Sequence, residues 1–400
     1  MLPKSFKKAK PIIDKIEKHS YKAYFVGGCV RDYLLEREIG DIDIATSASP
    51  EDIKQIFTKV IPVGIEHGTV IVRHQHESYE VTTFRIDGEY TDHRHPDSVK
   101  FIDQIDEDLK RRDFTINALA MDKNGEIIDI FGGQEDLRNK IIRTVGEAAD
   151  RFDEDPLRII RALRFSARLG FEIHSDTLQD MKKVKHSIQN LAMERIQKEL
   201  SKFFSGPYIN QGLQYLKETR VYNELPIIKD NPPLIHKLPK PMLPLHSFGE
   251  VIALMYNVED SVSITEWVKK WKCSNKIKNE AEQLNNAIKD YTRLGLNSWL
   301  VYKLSNNYFE GFIRLVNCLN ISSELTLDEL KEIAKKLPIQ SKNELAFNGH
   351  DLYHMFPELK KGPWMQKTLY KVEEAVVTGK LNNYNNEIKE WITWNPPEIN

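Results

Sequence analysis

At 400 residues the chain is too long for one typical hydrophobic core, so two to four domains are expected. A hydrophobic fraction of 40% beside 29% charged residues describes a folded, soluble chain, and no apolar run approaches the length of a membrane span. The net charge of −2 says nothing by itself for nucleic acid, and the three scattered cysteines, Cys29, Cys273 and Cys318, predict reduced thiols, a cytoplasmic setting and no zinc site.

The N-terminal stretch lacks the apolar centre of a signal peptide; Phe6, Ala9, Ile12, Ile13 and Ile16 fall instead on one helix face. Tyr24-Phe25-Val26 is an apolar run stopped by Gly27-Gly28, and a helix-like stretch follows over Cys29–Glu36. Asp41-Ile42-Asp43-Ile44 then alternates carboxylate with apolar residue, which on a strand turns both acids to one face. Ser49-Pro50-Glu51-Asp52 has the cap, proline and acids of a helix start. Thr69–Arg73 and Glu80–Phe84 read as strands. Asp87–Asp97 is polar and expected to be a mobile loop before Val99-Lys100-Phe101. Asp106-Glu107-Asp108 opens a helix predicted to carry Lys110–Ala120, and Glu126–Ile130 is another strand.

From about Asp150 helical periodicity takes over. Leu157, Ile160, Leu163 and Ala167 form a stripe stopped by Gly170, and further helices are expected over Met193–Phe204, Phe248–Asn257, Ile264–Trp271, Lys276–Leu294, Leu327–Leu337 and Lys367–Thr378. Pro226–Pro244 is a proline-rich connection. The layout is α+β: a small mixed head, then a long helical remainder. Lysines over 181–240, and Lys269, Lys270, Lys272, Lys276 and Lys278 around Trp267 and Trp271, are compatible with a phosphate-backbone track.

The chemistry concentrates in five places. Asp41 and Asp43, held about 6–7 Å apart at the Cα level, can clamp hard cations, while Gly27-Gly28 allows close backbone approach and the next helix offers free N–H groups to a phosphate. Arg31 can take a triphosphate on its planar fork, with Asp32 either holding it or capping the helix. Glu80 is a candidate third acid beside the metals. Within Arg111–Ala118, Arg112 suits a phosphate and Asn117 a ribose hydroxyl, although a charged first turn explains the spacing equally well. In Glu154–Arg164, Asp155 before Pro156 is a plausible helix cap and Arg158, Arg161 and Arg164 a plausible basic edge. The same residues have a sharper reading. An aspartate only accepts and an arginine only donates, so Asp155 beside Arg158 matches the pairing edges of cytosine and adenine and mismatches uracil and guanine.

Gly27–Asp32 (GGCVRD), Asp41–Asp43 (DID), Arg111–Ala118 (RRDFTINA) and Glu154–Phe165 (EDPLRIIRALRF) together resemble the bacterial, class II CCA-adding enzymes, tRNA nucleotidyltransferases of the polymerase-β-like superfamily. The resemblance implies a nucleotidyltransferase head over 1–149, a helical neck over 150–207 with the base-reading helix, a helical body over 208–320 and a tRNA-binding helical tail over 321–400. It implies Mg²⁺ on Asp41 and Asp43, nucleotide contacts from Gly28, Arg31 and Arg112, base reading by Asp155 and Arg158 with Arg161 and Arg164 nearby, and tRNA, CTP and ATP as partners. Arg85–Pro96 is similar to the flexible loop that CC-adding relatives tend to lack, and Pro62–Thr69 to the CCA-adding type rather than to poly(A) polymerases. Glu36 stands where the family often has glycine. An A-only enzyme or a poly(A) polymerase is the alternative activity, and a tRNA-binding protein with an inactive head the non-enzymatic one.

Overall fold

The computed structural model describes residues 2–88 and 98–397. The chain divides into two compact units, Met1–Ile235 and His236–Asn400.

In the first unit the amphipathic pattern at the N-terminus forms α1 (Lys4–Lys18), and all five of its stripe residues are fully buried. Phe6 anchors it by an edge contact to Phe25, 4.8 Å between ring centroids, on β1 (Ala23–Val26). The chain turns at Gly27 into α2 (Gly28–Leu34), which ends two residues before the sequence suggests; Glu36 lies just beyond it at φ +53, a conformation glycine adopts more readily. Next come β2 (Asp43–Thr46), α3 (Pro50–Ile56), β3 (Val60–Gly64), β4 (Thr69–His74) and β5 (Glu77–Thr83). The Ser49 side chain and the Asp52 carboxylate close a reciprocal capping box on α3.

A short hairpin of β6 (Arg85–Asp87) and β7 (Val99–Phe101) precedes α4 (Ile105–Lys110). Residues 89–97, which include most of the loop expected between Arg85 and Pro96, lie outside the described residues. The remaining sheet strands are β8 (Leu119–Met121) and β9 (Ile127–Asp129), followed by α5 (Gly133–Asn139). Together they make a seven-stranded mixed sheet in the order β3-β4-β5-β2-β1-β8-β9, with β2 parallel to β5 and antiparallel to β1.

Two sequence expectations are corrected here. The strand carrying the acid pair begins at Asp43, so exposed Asp41 stands in the approach to β2 rather than on it. The helix expected to run through Ala120 ends at Lys110; after it come an irregular stretch, a single 3₁₀ turn over Thr115–Asn117, and β8 between β1 and β9. Every residue from Asp113 to Met121 is buried, so this segment is enclosed on all sides and its burial carries no helical period.

A two-residue strand β10 (Ile141–Ile142) pairs in parallel with β11 (Glu172–Ile173). Between them lie α6 (Ala148–Glu154) and α7 (Leu157–Leu169); α8 (Ser175–Val184) and α9 (Met193–Phe204) follow, with α9 packed on α7.

The second unit is helical. Phe248–Val258 packs on the 20-residue helix Asn275–Leu294, and Arg314 holds the buried Glu250 carboxylate through Nη2 at 2.7 Å and Nε at 3.0 Å. Trp267 and Trp271 are buried, the latter against Phe248, so they are core residues and not stacking platforms between the neighbouring exposed lysines. Among the described residues, no helix is long and apolar enough to cross a membrane.

Candidate active site

The first unit holds a cleft of about 1230 Å³. Its walls come from the turn into α2, the approach to β2, the segment after α4, and helices α7 and α9.

At one wall, Gly27 has φ +73, and a Cβ added there would lie 2.9 Å from Arg112 Nη1. Only glycine lets this turn sit against that guanidinium. Arg112 itself donates to Asp108 at 3.3 Å and keeps a buried Nε without a partner. Beside them, Asp43 lies opposite Glu80 in the β2–β5 register. Burial first, then the Glu80 and Asp41 charges, push Asp43 up to about 6 against the opposing pull of Arg112. No side-chain hydrogen bond or ion pair from the described residues satisfies either the Asp41 or the Asp43 carboxylate. One half-buried and one exposed carboxylate, neither hydrogen-bonded by a side chain, fit a hard divalent cation. Asp41 and Asp43 line the cleft, whereas exposed Glu80 does not, and among the described residues no three acidic, histidine or cysteine side chains converge as a metal cage. A two-carboxylate site is what Mg²⁺ commonly uses, with water and substrate phosphates completing its shell.

The cations of the cleft are wired together by carboxylates. Asp32 holds Arg31, accepting from Nε at 2.9 Å and Nη2 at 3.0 Å, so its role is to orient Arg31 and not to cap the helix. Arg31 Nη1 donates to Asn117 Oδ1 at 2.6 Å, and Asn117 Nδ2 donates to Asp113 Oδ1 at 3.1 Å. Arg161 closes on Asp113, and Glu199 of α9 lies 3.9 Å from Arg161 and 3.0 Å from Arg164. Burial opposes ionisation of Asp113, but the Arg161 guanidinium and the Asn117 amide outweigh it and hold the carboxyl well below its usual range. Burial and the adjacent Arg161 charge bring Arg164 down to about 10. Arg31, Arg161 and Arg164 all approach the Phe165 ring, at 5.4, 5.6 and 4.3 Å from its centroid.

Asp155 accepts from Leu157 N–H at 3.1 Å and from Arg195 Nη2 at 2.8 Å. Arg158 is 8% exposed; its Nη1 donates to Glu154 at 2.5 Å and to the Arg151 carbonyl at 2.9 Å, and its Nη2 to the Arg111 carbonyl at 3.2 Å. Both residues line the same cleft as Asp41 and Asp43. Of the residues singled out in the sequence, Gly28, Arg31, Arg112, Asn117, Arg161 and Arg164 line it as well. Arg195, Glu199, Phe165 and the linking role of Asp113 were missed. Arg195, Glu199 and Lys202 recur at i, i+4 and i+7 of α9, a polar stripe that could have pointed to them.

Comparison with known proteins gives this cleft a family. Residues 23–143 match the family model described as the Poly A polymerase head domain, 170–231 the probable RNA and SrmB-binding site of polymerase A, and 249–392 a putative tRNA nucleotidyltransferase domain 2. The CCA-adding enzyme of Oceanobacillus iheyensis is 49% identical over 100% of both chains. The chain belongs to the CCA-adding enzymes. The CCA-adding enzyme of Staphylococcus haemolyticus is 41% identical, with 98% of each chain covered. The crystal structure of the Bacillus stearothermophilus CCA-adding enzyme in complex with CTP is 37% identical, covers 98% of each chain and superposes with a TM-score of 0.85. CCA-adding enzymes are tRNA nucleotidyltransferases, and enzymes of this class generally use divalent metal ions. The family resemblance and the α+β fold expected from the sequence are borne out.

Proposed function

We propose that this enzyme adds C, C and A in turn to the 3′ end of tRNA from CTP and ATP, without a nucleic-acid template, in the cytoplasm. The observation that carries the reading is that one cleft is lined both by Asp41 and Asp43 and by Asp155 and Arg158. Its volume of about 1230 Å³ is ample for one nucleoside triphosphate beside an RNA end.

Asp41 and Asp43 would hold Mg²⁺, which when bound supplies activation of the attacking 3′-hydroxyl and neutralises charge on the departing pyrophosphate. Arg31 and Arg112, with the backbone at Gly28, bind and orient the triphosphate so that its α-phosphorus meets the hydroxyl in line. Glu80 acts through Asp43 as a neighbouring charge. Asn117 fixes Arg31 and reaches the ribose. Asp155, oriented by Arg195, accepts from the exocyclic amine of cytosine or adenine, and Arg158 donates to the adjacent ring nitrogen. Uracil or guanine would set acceptor against acceptor and leave a buried charge unpaired, at a cost of about 1–3 kcal/mol. Residues 150–207, 208–320 and 321–400 would then be neck, body and tail, carrying the tRNA.

The deciding experiment offers tRNA ending before CCA, and tRNA ending in CC, with CTP, ATP and Mg²⁺. Addition of the three nucleotides followed by arrest supports the reading. Refusal of CTP indicates an A-only enzyme, growth beyond CCA a poly(A) polymerase, and tRNA binding without turnover an inactive head.

A further inference from the structure

We infer that His350 and His354 form a two-imidazole chelate for a late first-row divalent cation such as Zn²⁺, Ni²⁺ or Cu²⁺, separate in chemistry from the carboxylate site of the first unit. The two histidines lie four residues apart on the helix Gly349–Met355, so they stand one above the other on the same face. Both are exposed. Their rings stack at 4.2 Å between centroids with 29° between planes, and the two Nε2 atoms are 3.4 Å apart.

That separation matters. A direct hydrogen bond between the rings would be long at 3.4 Å, since good N–H donors approach acceptors at about 2.7–3.2 Å. A cation with zinc–nitrogen bonds of about 2.0–2.1 Å and tetrahedral angles needs its two nitrogens about 3.3–3.4 Å apart. The pair therefore has chelate spacing without any rearrangement of the helix. As the rings stack, their in-plane Nε2 lone pairs run side by side, and rotation of each exposed ring about its Cβ–Cγ bond turns both onto one cation.

The scaffold holds this arrangement in place. The Asn348 side chain accepts from His350 N–H at 2.8 Å and Asp351 N–H at 3.3 Å, while the Asp351 carboxylate accepts from Asn348 N–H at 2.9 Å. Leu352 is fully buried in the apolar cluster with Trp364, Leu369 and Val372, which keeps the histidine face outward. His354 is in the last helical turn, where the carbonyl end of the helix favours positive charge. With only two protein donors the cation keeps open positions for water or a third group. The low cysteine count that argues against a thiolate zinc site has no bearing on an imidazole pair. Imidazole selects Cu²⁺, Ni²⁺ and Zn²⁺ over hard Mg²⁺, and Cu²⁺ should bind tightest.

The test uses the full chain, free of any histidine tag and stripped with a chelator. Zn²⁺, Ni²⁺ and Cu²⁺ are titrated calorimetrically into the wild type, His350→Gln and His354→Gln, with Mg²⁺ in excess throughout. The expected result is one saturable site that weakens at least tenfold in either variant, in the affinity order Cu²⁺ first. The paramagnetic resonance of bound Cu²⁺ should carry the nitrogen splitting of two imidazoles in the wild type and of one in His354→Gln. Coincident isotherms for wild type and variants, or no saturable binding below about 1 mM, would overturn the proposal.

Discussion

Asp113 Oδ2 accepts twice from Arg161, from Nε at 2.8 Å and Nη2 at 2.5 Å, across 48 residues of sequence. Its other oxygen takes Phe114 N–H and the Asn117 amide, so one carboxylate ties the segment before β8 to helix α7. Asp113→Asn should therefore destabilise the protein by about 1–3 kcal/mol at neutral pH. The folded-state pKa lies below the unfolded value, so this stability is fully present above about pH 4 and is lost as pH falls toward the folded value. Denaturant unfolding of wild type and variant at pH 7 and at about pH 3 should show the gap closing on acidification. A gap that stays constant would mean the contact does not depend on the charge.

Asp43 and Glu80 should separate cleanly in activity. Asp43→Asn removes an oxygen donor facing the cleft and should lower the rate of both C and A addition by about 10³-fold or more, leaving tRNA affinity largely unchanged. Glu80→Gln removes only a neighbouring charge and should cost no more than about 10- to 100-fold. Single-turnover extension with radiolabelled tRNA measures both; equal losses would put Glu80 on the metals.

Asp155→Ala should relax base choice rather than abolish chemistry. Loss of about 1–3 kcal/mol of discrimination corresponds to roughly ten- to a hundredfold more UTP or GTP incorporation relative to CTP and ATP. Competition assays with mixed nucleotides read the ratio directly. Unchanged ratios would remove Asp155 from base recognition.

Gly27→Ala combines a positive φ with a Cβ 2.9 Å from Arg112 Nη1. With ψ at −129, outside the left-handed helical region, the backbone strain alone costs about 1–3 kcal/mol, and displacement of Arg112 should raise KM for both nucleotides together. Thermal unfolding and initial-rate kinetics check the two effects; a raised KM for CTP alone would contradict a shared triphosphate contact.

Local chemistry made much of this site readable. Gly27-Gly28, the acid pair and Asp155-Pro156 carry their meaning in adjacent residues, and all of them line the cleft except Pro156. Periodicity likewise found α1, whose stripe is complete. The helix drawn through Lys110–Ala120 failed because its last residues pair between β1 and β9, a long-range contact that leaves no mark on the local sequence. Pairings such as Asp113 with Arg161, or Asp155 with Arg195, join residues 48 and 40 positions apart, and spacing along a chain carries no trace of them. Three of the lysines over 181–240 also have partners that spacing does not show: Lys182 pairs with Glu218, Lys183 with Asp180, and Lys185 with the Thr219 carbonyl, while Lys202 lines the cleft.

The run Asp32, Arg31, Asn117, Asp113, Arg161, Glu199, Arg164 has one more consequence. Its guanidiniums are already held by the protein's own acids, Arg31 by Asp32 and Arg161 by Asp113, so an incoming polyanion would enter by partner exchange. Ordering a free arginine would forfeit about 2 kcal/mol of rotamer freedom, and that loss is met during folding, before any ligand arrives. When the polyanion leaves, Arg31 and Arg161 return to waiting acids, which eases departure. A wall built this way suits a catalyst that must surrender one nucleotide and admit a different one at the same spot.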